Sequence, residues 1–368
     1  MKPKTPTKVC HCSILHKLDD SRIFYKECIS LAKAGYSVTL IARAAINRDF
    51  DEPSYSGVNL HKLKKNMRIY SQFYLLAVIL KMRFKVVHFH DPELILLGVF
   101  LRLLGKIVIY DVHENVRQDI LHKKWVNHAV RPYLAQTAIF FEFIASSCFN
   151  GVICATPAIS RNFNCKYNYV IKNFPPLQNR DLFSKAKRNT NTLVYIGLLC
   201  EARGIKSLIE AAGYLVGEAK LLLIGAWSDE IFRSECEKMV GFKDIEYVGI
   251  VSHELIDSYL SKASIGLCML YPIDTYKESY PIKVFEYMQN GLPVLMSNFG
   301  MWNELFGDVC EYADPLNPSA IAEKIKSMLG NSSRLFEMSE KGAICIKEKF
   351  NWDSESKKLN ELYTGLCG

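Results

Sequence analysis

The sequence predicts an α/β protein built from two Rossmann-like, doubly wound domains facing a cleft. Three observations predict it. Short apolar, strand-like runs alternate with helical segments from the start of the chain. That rhythm stops at Lys172-Asn-Phe-Pro-Pro176 and a polar stretch over residues 177–191, then begins again. The length, 368 residues, exceeds one ordinary domain and suits two.

In the first half, Lys8–Ser13 reads as a strand, Arg22–Ala34 as a helix ended by Gly35, and Ser37–Ala42 as the next strand, a βαβ unit. Val86–His90 is a strand that leads into a helix from Pro92. Lys106–Asp111 and Gly151–Ala155 are further strands. In the second half Leu193–Gly197, Leu221–Gly225, Ile245–Val248, Ile265–Met269 and Val294–Ser297 read as strands, with a helix over Gly204–Gly213. Strands that alternate with helices imply parallel sheets covered on both faces. The expected domains are residues 1–175 and 176–349, followed by a tail over 350–368 that reads as an amphipathic helix.

Composition narrows the class. Hydrophobic residues make up 49% and aromatic residues 12% of the chain, enough for two packed cores. The N-terminus MKPKTPTKVCHCS lacks the apolar segment of a signal peptide. The apolar runs Phe73–Leu80 and Leu94–Leu101 fall far short of the ~20 residues of a membrane span. Twelve cysteines are scattered without a CxxC, as expected for reduced core thiols. The net charge of +8 conceals a division: residues 1–180 carry +14 and the remainder −6. Residues 61–85 hold seven Lys or Arg around Phe73–Leu80, which suits either a core-facing helix with solvated lysines or a surface for anionic lipid headgroups. No recognition motif or basic–aromatic platform points to nucleic acid.

Ligands of open α/β sheets bind outside the carboxyl ends of the strands. In the first half those ends carry His16, Asp20 and Arg22, then His90-Asp91-Pro92-Glu93, then Asp111-Val112-His113-Glu114. In the second half Gly197 is followed by LLCEARG204. Arg203 and Gly204 lie at a strand-to-helix junction. Backbone N–H groups, a positive helix end and a guanidinium fork meet there and suit a diphosphate; an ordinary loop with a solvated arginine is the other reading. There is no GxGxxG and no Walker A motif. His88 and His90 share a strand face, but histidines packed in or lining the cleft are favoured over a metal site.

In KESYPIKVFEYMQNGLPVLMS, Glu278 and Glu286 are separated by seven residues and followed by Gly291-Leu-Pro-Val294. This resembles the EX7E signature of retaining GT-B glycosyltransferases of family 4 (group 1) type. HKLDDSRIFYKECISLAKAGYSVTLI, VVHFHDPELILLG, KIVIYDVHEN, IKNFPP and LVYIGLLCEARGIKSLIEA also resemble stretches of bacterial members that build surface polysaccharides, O-antigen or capsule, and they occur in the family's order. The resemblance implies transfer from a nucleotide sugar, UDP-sugar favoured, to a saccharide or lipid-linked saccharide. Configuration would be retained, and no metal or other cofactor is required. It places the protein in the cytoplasm, peripheral at an anionic membrane surface, the inner face of the plasma membrane.

The same resemblance implies domain and residue roles: residues 1–175 are expected to bind the acceptor, 176–349 the nucleotide sugar, and a C-terminal helix over 350–368 to cross back to the first domain with Trp352 as its packing anchor. Glu278 and His113 are the expected catalytic residues. Glu286, Arg203, Gly197, Gly204, Lys206, Ser279, Tyr280, Pro281, Ile282 and Lys283 are expected to bind the donor, with Glu286 on the ribose. His16, Asp20, Arg22, His90, Asp91 and Glu93 are expected on the acceptor side. Two departures stand out: Leu198 occupies the position where the family usually has an arginine, and His16–Asp20 lacks the family's glycine pair. A UDP-sugar 2-epimerase of the same fold and a non-catalytic partner of a membrane glycosyltransferase are the rival readings.

Overall fold

A computed structural model describes residues 6–44, 54–63, 68–113, 116–122, 127–177 and 191–368. Most of the expected polar linker, Lys64 and Lys65 of the basic stretch, and Glu114 lie outside the described residues. The chain divides into two units, Met1–Asn173 with Trp352–Gly368, and Phe174–Asn351.

The N-terminal unit contains β1 (Lys8–Lys17), β2 (Ser37–Arg43), β3 (Ser54–Tyr55), β4 (Val58–Lys62), β5 (Val86–Phe89), β6 (Ile107–Val112), β7 (Gly151–Cys154) and β8 (Asn168–Val170). They form one sheet in the order β3-β4-β2-β1-β5-β6-β7-β8, parallel throughout except for the small β3–β4 ribbon. The C-terminal unit contains β9 (Thr192–Ile196), β10 (Lys220–Ile224), β11 (Ile245–Gly249), β12 (Ile265–Cys268), β13 (Val294–Ser297) and β14 (Glu311–Ala313), in the parallel order β11-β10-β9-β12-β13-β14. Counted from its first strand, this is the 3-2-1-4-5-6 order of dinucleotide-binding folds. The sequence reading missed β3, β4, β8 and β14. All are short, and VNLHK of β4 mixes polar residues into the alternation.

The central strands are apolar on both faces because each sheet is covered twice. On one face of the N-terminal sheet Cys10, Cys12, Val87, Phe89 and Tyr110 pack with Leu75, Leu97, Leu101 and Phe149 from helices and their ends. On the other, Val9, Val38, Val86 and Ile109 pack with Ile23, Leu31 and the C-terminal helix Trp352–Cys367 through Leu359, Leu362 and Tyr363. Trp352 is buried, and its indole N–H donates to Ser30 Oγ at 2.8 Å. The helix expected over Arg22–Ala34 opens instead as a π-helical turn, Ile23–Cys28, before an α-helical segment Ile29–Lys33. The wider turn accompanies three buried ionisable side chains, Arg22, Lys26 and Glu27.

Each sheet changes direction at its first strand, β1 between β2 and β5 and β9 between β10 and β12, and the polar strand ends gather there. At the second of these points the backbones run too close for side chains. Gly204 has φ +70°, and a Cβ on it would lie 1.8 Å from the Met269 carbonyl oxygen. A Gly204→Ala variant is therefore expected to lose about 2 kcal/mol or more in urea unfolding. Gly300→Ala, where a Cβ meets nothing within 4 Å, is expected to stay within about 0.5 kcal/mol. Equal stability of the two variants would contradict this packing.

Candidate active site

The N-terminal unit gathers its polar strand ends around Asp111. This carboxylate is fully buried and accepts both Arg22 Nη2 at 2.9 Å and Nε at 3.2 Å. It also accepts His113 Nε2 at 2.9 Å and His90 Nδ1 at 3.3 Å. Burial alone would raise its pKa, but Arg22, then the two histidines, outweigh it and hold Asp111 well below the usual carboxylate range. Arg22 also meets Glu27 at 2.9 Å and donates to the Ile171 carbonyl. One guanidinium serves two buried carboxylates. Burial and the Asp111 charge push Glu27 well above its ordinary value, so Glu27 is the acid that holds its proton.

Three clustered imidazoles, with His90 stacked on both His11 and His88, continue the network. His90 donates from Nδ1 to Asp111, so its Nε2 accepts His11 Nδ1–H at 3.1 Å. His11 Nε2 then accepts the Tyr363 hydroxyl at 3.3 Å, and the Tyr363 oxygen accepts His88 Nδ1–H at 2.9 Å. One tautomer chain thus runs from Asp111 to the C-terminal helix. Burial lowers all three histidines, His90 to about 4. His11, His88, His90 and Glu27 bring ligand-type atoms within 4.8 Å of one another, as do His90, Asp111 and His113. Arg22, in contact with both carboxylates, already provides there the positive charge a cation would bring.

These contacts place three residues expected on the acceptor side in the interior. Arg22, His90 and Asp91 are buried and engaged within the protein. Asp91 accepts the Ser13 hydroxyl at 2.9 Å and the Ile14 backbone N–H, while Ser13 Oγ accepts the His16 N–H. Asp91 therefore shapes the loop after β1. Glu93 is half-buried, and its carbonyl accepts Gln72 Nε2 at 3.1 Å. His16, Asp20 and His113 remain partly open to solvent. His16 pairs with Asp20 at 3.2 Å, and Asp20 caps the turn by accepting the N–H groups of Arg22 and Ile23. Because His113 donates through Nε2, its Nδ1 is left as an acceptor.

The C-terminal unit builds its site around the end of β9. Gly197 has φ +135°, and a Cβ there would lie 2.9 Å from Arg203 Nη1 and 3.3 Å from Lys283 Nζ. Two cationic heads thus crowd a spot that only glycine leaves open. The Tyr195 hydroxyl donates to the Leu198 carbonyl at 2.9 Å and accepts from Arg203. Lys283 Nζ lies 3.7 Å from the Tyr195 ring centroid. It is buried without a hydrogen-bond partner among the described residues. Burial, with Arg203 acting in the same direction, lowers its pKa to about 8.

Glu278 follows the short helix Asp274–Lys277 and is exposed; Glu286 is half-buried within the helix Ile282–Gln289, which Pro281 caps. The segment between the two glutamates is pinned: the Ser279 carbonyl accepts the buried Trp302 indole N–H at 2.8 Å, and Tyr280 packs edge-on against Phe174. Ile282 is exposed at the helix start. Lys206, expected at the donor, instead pairs with Glu235 at 2.7 Å. An exposed helix lysine takes the nearest carboxylate, and the helix Glu230–Glu237 supplies one. His11, Glu27, His88, Asp111 and Tyr195 were absent from the predicted sites. The signal for two of them was present: VCHC and VVHF each place one histidine inside an apolar strand, and His11 and His88 are register partners.

The C-terminal unit thus holds a glycine-floored pair of cations at the switch point of a parallel sheet. Residues 178–360 match the family model for glycosyl transferases group 1, and residues 21–173 match that for Glycosyltransferase Family 4. The chain belongs to this family. It is 28% identical over 176 residues to the O-antigen chain mannosyltransferase B of Escherichia coli, a match that spans 46% of this chain and only 45% of that relative. Among solved structures, sucrose-phosphate synthase from Thermosynechococcus elongatus is similar with a TM-score of 0.75 at 17% identity, over 98% of this chain and 99% of that one. Anabaena Alr3699/HepE in complex with UDP gives 0.74 at 13%, over 98% and 100%. WaaG, a glycosyltransferase involved in lipopolysaccharide biosynthesis, gives 0.70 at 14%, over 97% and 100%. At these identities the structural likeness is one of fold.

The buried histidines set an acid limit on stability. His11, His88 and His90 are neutral when folded and regain ordinary basicity when unfolded. The unfolded chain then binds more protons below about pH 6.5, so stability falls from there towards pH 4. Each group is expected to contribute on the order of 1 kcal/mol per pH unit in that window, read as the urea midpoint against pH, and His90→Gln should flatten the slope. Asp111→Asn, which leaves Arg22 without its charged partner, is expected to cost about 3 kcal/mol or more at pH 7. A pH-independent midpoint from 4 to 6.5 would refute the neutral-histidine assignment.

Proposed function

We propose that the protein transfers a glycosyl group from a nucleoside diphosphate sugar, with UDP favoured, to a lipid-linked saccharide acceptor with retention of configuration. The carrying observation is the Lys283 ammonium, buried beside Arg203 at Gly197 without a hydrogen-bond partner among the described residues. A cation held there is a poor contributor to stability but a good receptor for a diphosphate, whose charge grows as the glycosyl bond breaks.

In this reading Arg203 and Lys283 neutralise the leaving diphosphate, Glu286 grips the ribose hydroxyls, and Glu278 lies beside the donor sugar. The anomeric carbon–oxygen bond to the diphosphate breaks as the acceptor oxygen bonds to the same face of that carbon. The acceptor proton passes to the departing phosphate oxygen, so no protein base is needed. His113, whose Nδ1 is left as an acceptor, is assigned to bind a substrate hydroxyl. The two cationic side chains supply the positive charge, and this reading includes no metal ion. UDP is favoured because Alr3699/HepE, a neighbour in fold, was solved in complex with UDP. A surface-polysaccharide role, with the protein peripheral at the inner face of the plasma membrane, is supported by the +14 charge of residues 1–180 and by the partial match to an O-antigen mannosyltransferase.

Calorimetric titration of UDP tests the reading. Lys283→Met is expected to weaken UDP binding by tenfold or more, about 1.4 kcal/mol, while raising the melting temperature of the ligand-free protein, because an unpaired buried charge is removed. Glu286→Ala should weaken binding, and Glu278→Ala should mainly slow transfer. UDP affinity unchanged in both Lys283→Met and Glu286→Ala would overturn the assignment. Conversion of a UDP-sugar to its 2-epimer without acceptor would favour the epimerase.

A further inference from the structure

At the carboxyl ends of β13 and β14, two and three strands out from β9, the C-terminal unit has a cavity of about 390 Å³ that is lined by none of the residues assigned to the donor. Open α/β sheets bind ligands at these ends, and the volume is that of a small-molecule cleft. Register explains two of its walls. Ser297 and Ala313 are partners in the sheet, and the Asn298 N–H donates to the Ala313 carbonyl at 3.0 Å, so Asn298 and Asp314 leave adjacent strands side by side. Each of these side chains is held by one polar atom. Asn298 Oδ1 accepts Asn303 Nδ2 at 2.6 Å, and Asp314 Oδ1 accepts the Leu316 N–H at 2.9 Å. Asn298 Nδ2 and Asp314 Oδ2 make no hydrogen bond among the described residues.

The remaining lining is largely apolar. Phe299 lies with its ring centroid 4.6 Å from that of the buried Trp302, whose indole N–H holds the Ser279 carbonyl next to Glu278. Lys277, also in the wall, immediately precedes Glu278 and pairs with Asp274 at 3.3 Å. The cavity therefore starts one residue from the carboxylate assigned to the donor sugar. Its lining carries one ammonium and one carboxylate, so an ion of either sign would face a like charge. An amide donor and a carboxylate acceptor set side by side match neighbouring ring hydroxyls, each of which can give and take a hydrogen bond. Phe299, Met301 and two prolines match the C–H face of such a ring.

We propose that this cavity is a subsite for a neutral sugar ring of the saccharide acceptor, with Asn298 Nδ2 and Asp314 Oδ2 on neighbouring hydroxyls. The transferred ring is assigned to Glu278, so the ring held here is a different one. This extends acceptor recognition to the C-terminal unit, where the sequence reading expected the donor alone. It rests on the transferase reading, which supplies a saccharide acceptor. Gly300 gives direct access to a test: it lines the cavity, and a Cβ on it meets nothing within 4 Å. A larger side chain there fills the cavity without displacing the surrounding structure.

The test is saturation-transfer NMR of the full chain titrated with methyl α-D-mannopyranoside and with methyl α-D-glucopyranoside, each without and with UDP. Wild-type protein is expected to bind at least one of them in the millimolar range. Gly300→Leu, which fills the cavity, and Asp314→Ala, which removes the acceptor, should each weaken that binding tenfold or more. Both variants should keep wild-type UDP affinity, which shows that they are folded. Wild-type protein that binds neither glycoside, or variants that bind it as wild type does, would overturn the proposal. So would a Gly300→Leu variant that loses affinity for UDP-glucose but not for the glycoside, which would give the cavity to the donor's own ring. Because the glycosides are also titrated without UDP, a nucleotide that fails to bind strikes the transferase reading and leaves this measurement intact.

Discussion

A buried cation without a hydrogen-bond partner opposes folding, and among the described residues the C-terminal unit keeps Lys283 in that state. Much of the local architecture follows from that constraint. Gly197 withholds a side chain so that Arg203 and Lys283 can approach the same spot, and Gly225 does the same for the Gly197 carbonyl, 2.0 Å from where its own Cβ would lie. The Tyr195 ring offers Lys283 a π face in place of a carboxylate, and its hydroxyl ties Arg203 to the strand end. A site arranged in this way before an anion arrives need not reorganise when it does.

The N-terminal unit handles buried charge in the opposite manner. Arg22 is answered by Asp111, Glu27 keeps its proton, and the three histidines are neutral, so the interior is close to electrically balanced. The balance fixes protons. With Asp111 as the terminal acceptor, each imidazole between it and Tyr363 has one assigned tautomer, and His113 is left with Nδ1 as its acceptor. The C-terminal helix therefore enters the site's electrostatics through one hydroxyl, as well as covering a sheet face.

The alternation of strands and helices and the location of polar residues at strand ends were legible because period, turns and β-branched runs are local properties. The depth of those residues was not. Asp91 and Arg22 look like ligand-binding residues from their positions at strand ends, and only the packed structure shows one held by Ser13 and Ile14 and the other between two carboxylates. The two helix lysines show the same limit. Lys206 and Lys283 both follow a strand end or loop and both sit early in a helix. Long-range contacts separate them: one finds Glu235, the other Tyr195 and the bare backbone of Gly197. Glu278 and Glu286 were legible as a motif, though their spacing does not place them on one helix face, since Glu278 precedes the helix that carries Glu286.

Proton linkage at Lys283 tests the account most directly. At about pH 9 the ammonium, with its pKa lowered to about 8, is mostly neutral in the free protein, while the nucleotide's phosphates are fully ionised. A diphosphate seated beside it should restore ordinary lysine basicity. Calorimetric titration of UDP in buffers of different ionisation enthalpy should then report uptake of close to one proton per UDP bound. Binding with no net proton uptake at that pH would contradict the claim that the buried cation receives the diphosphate.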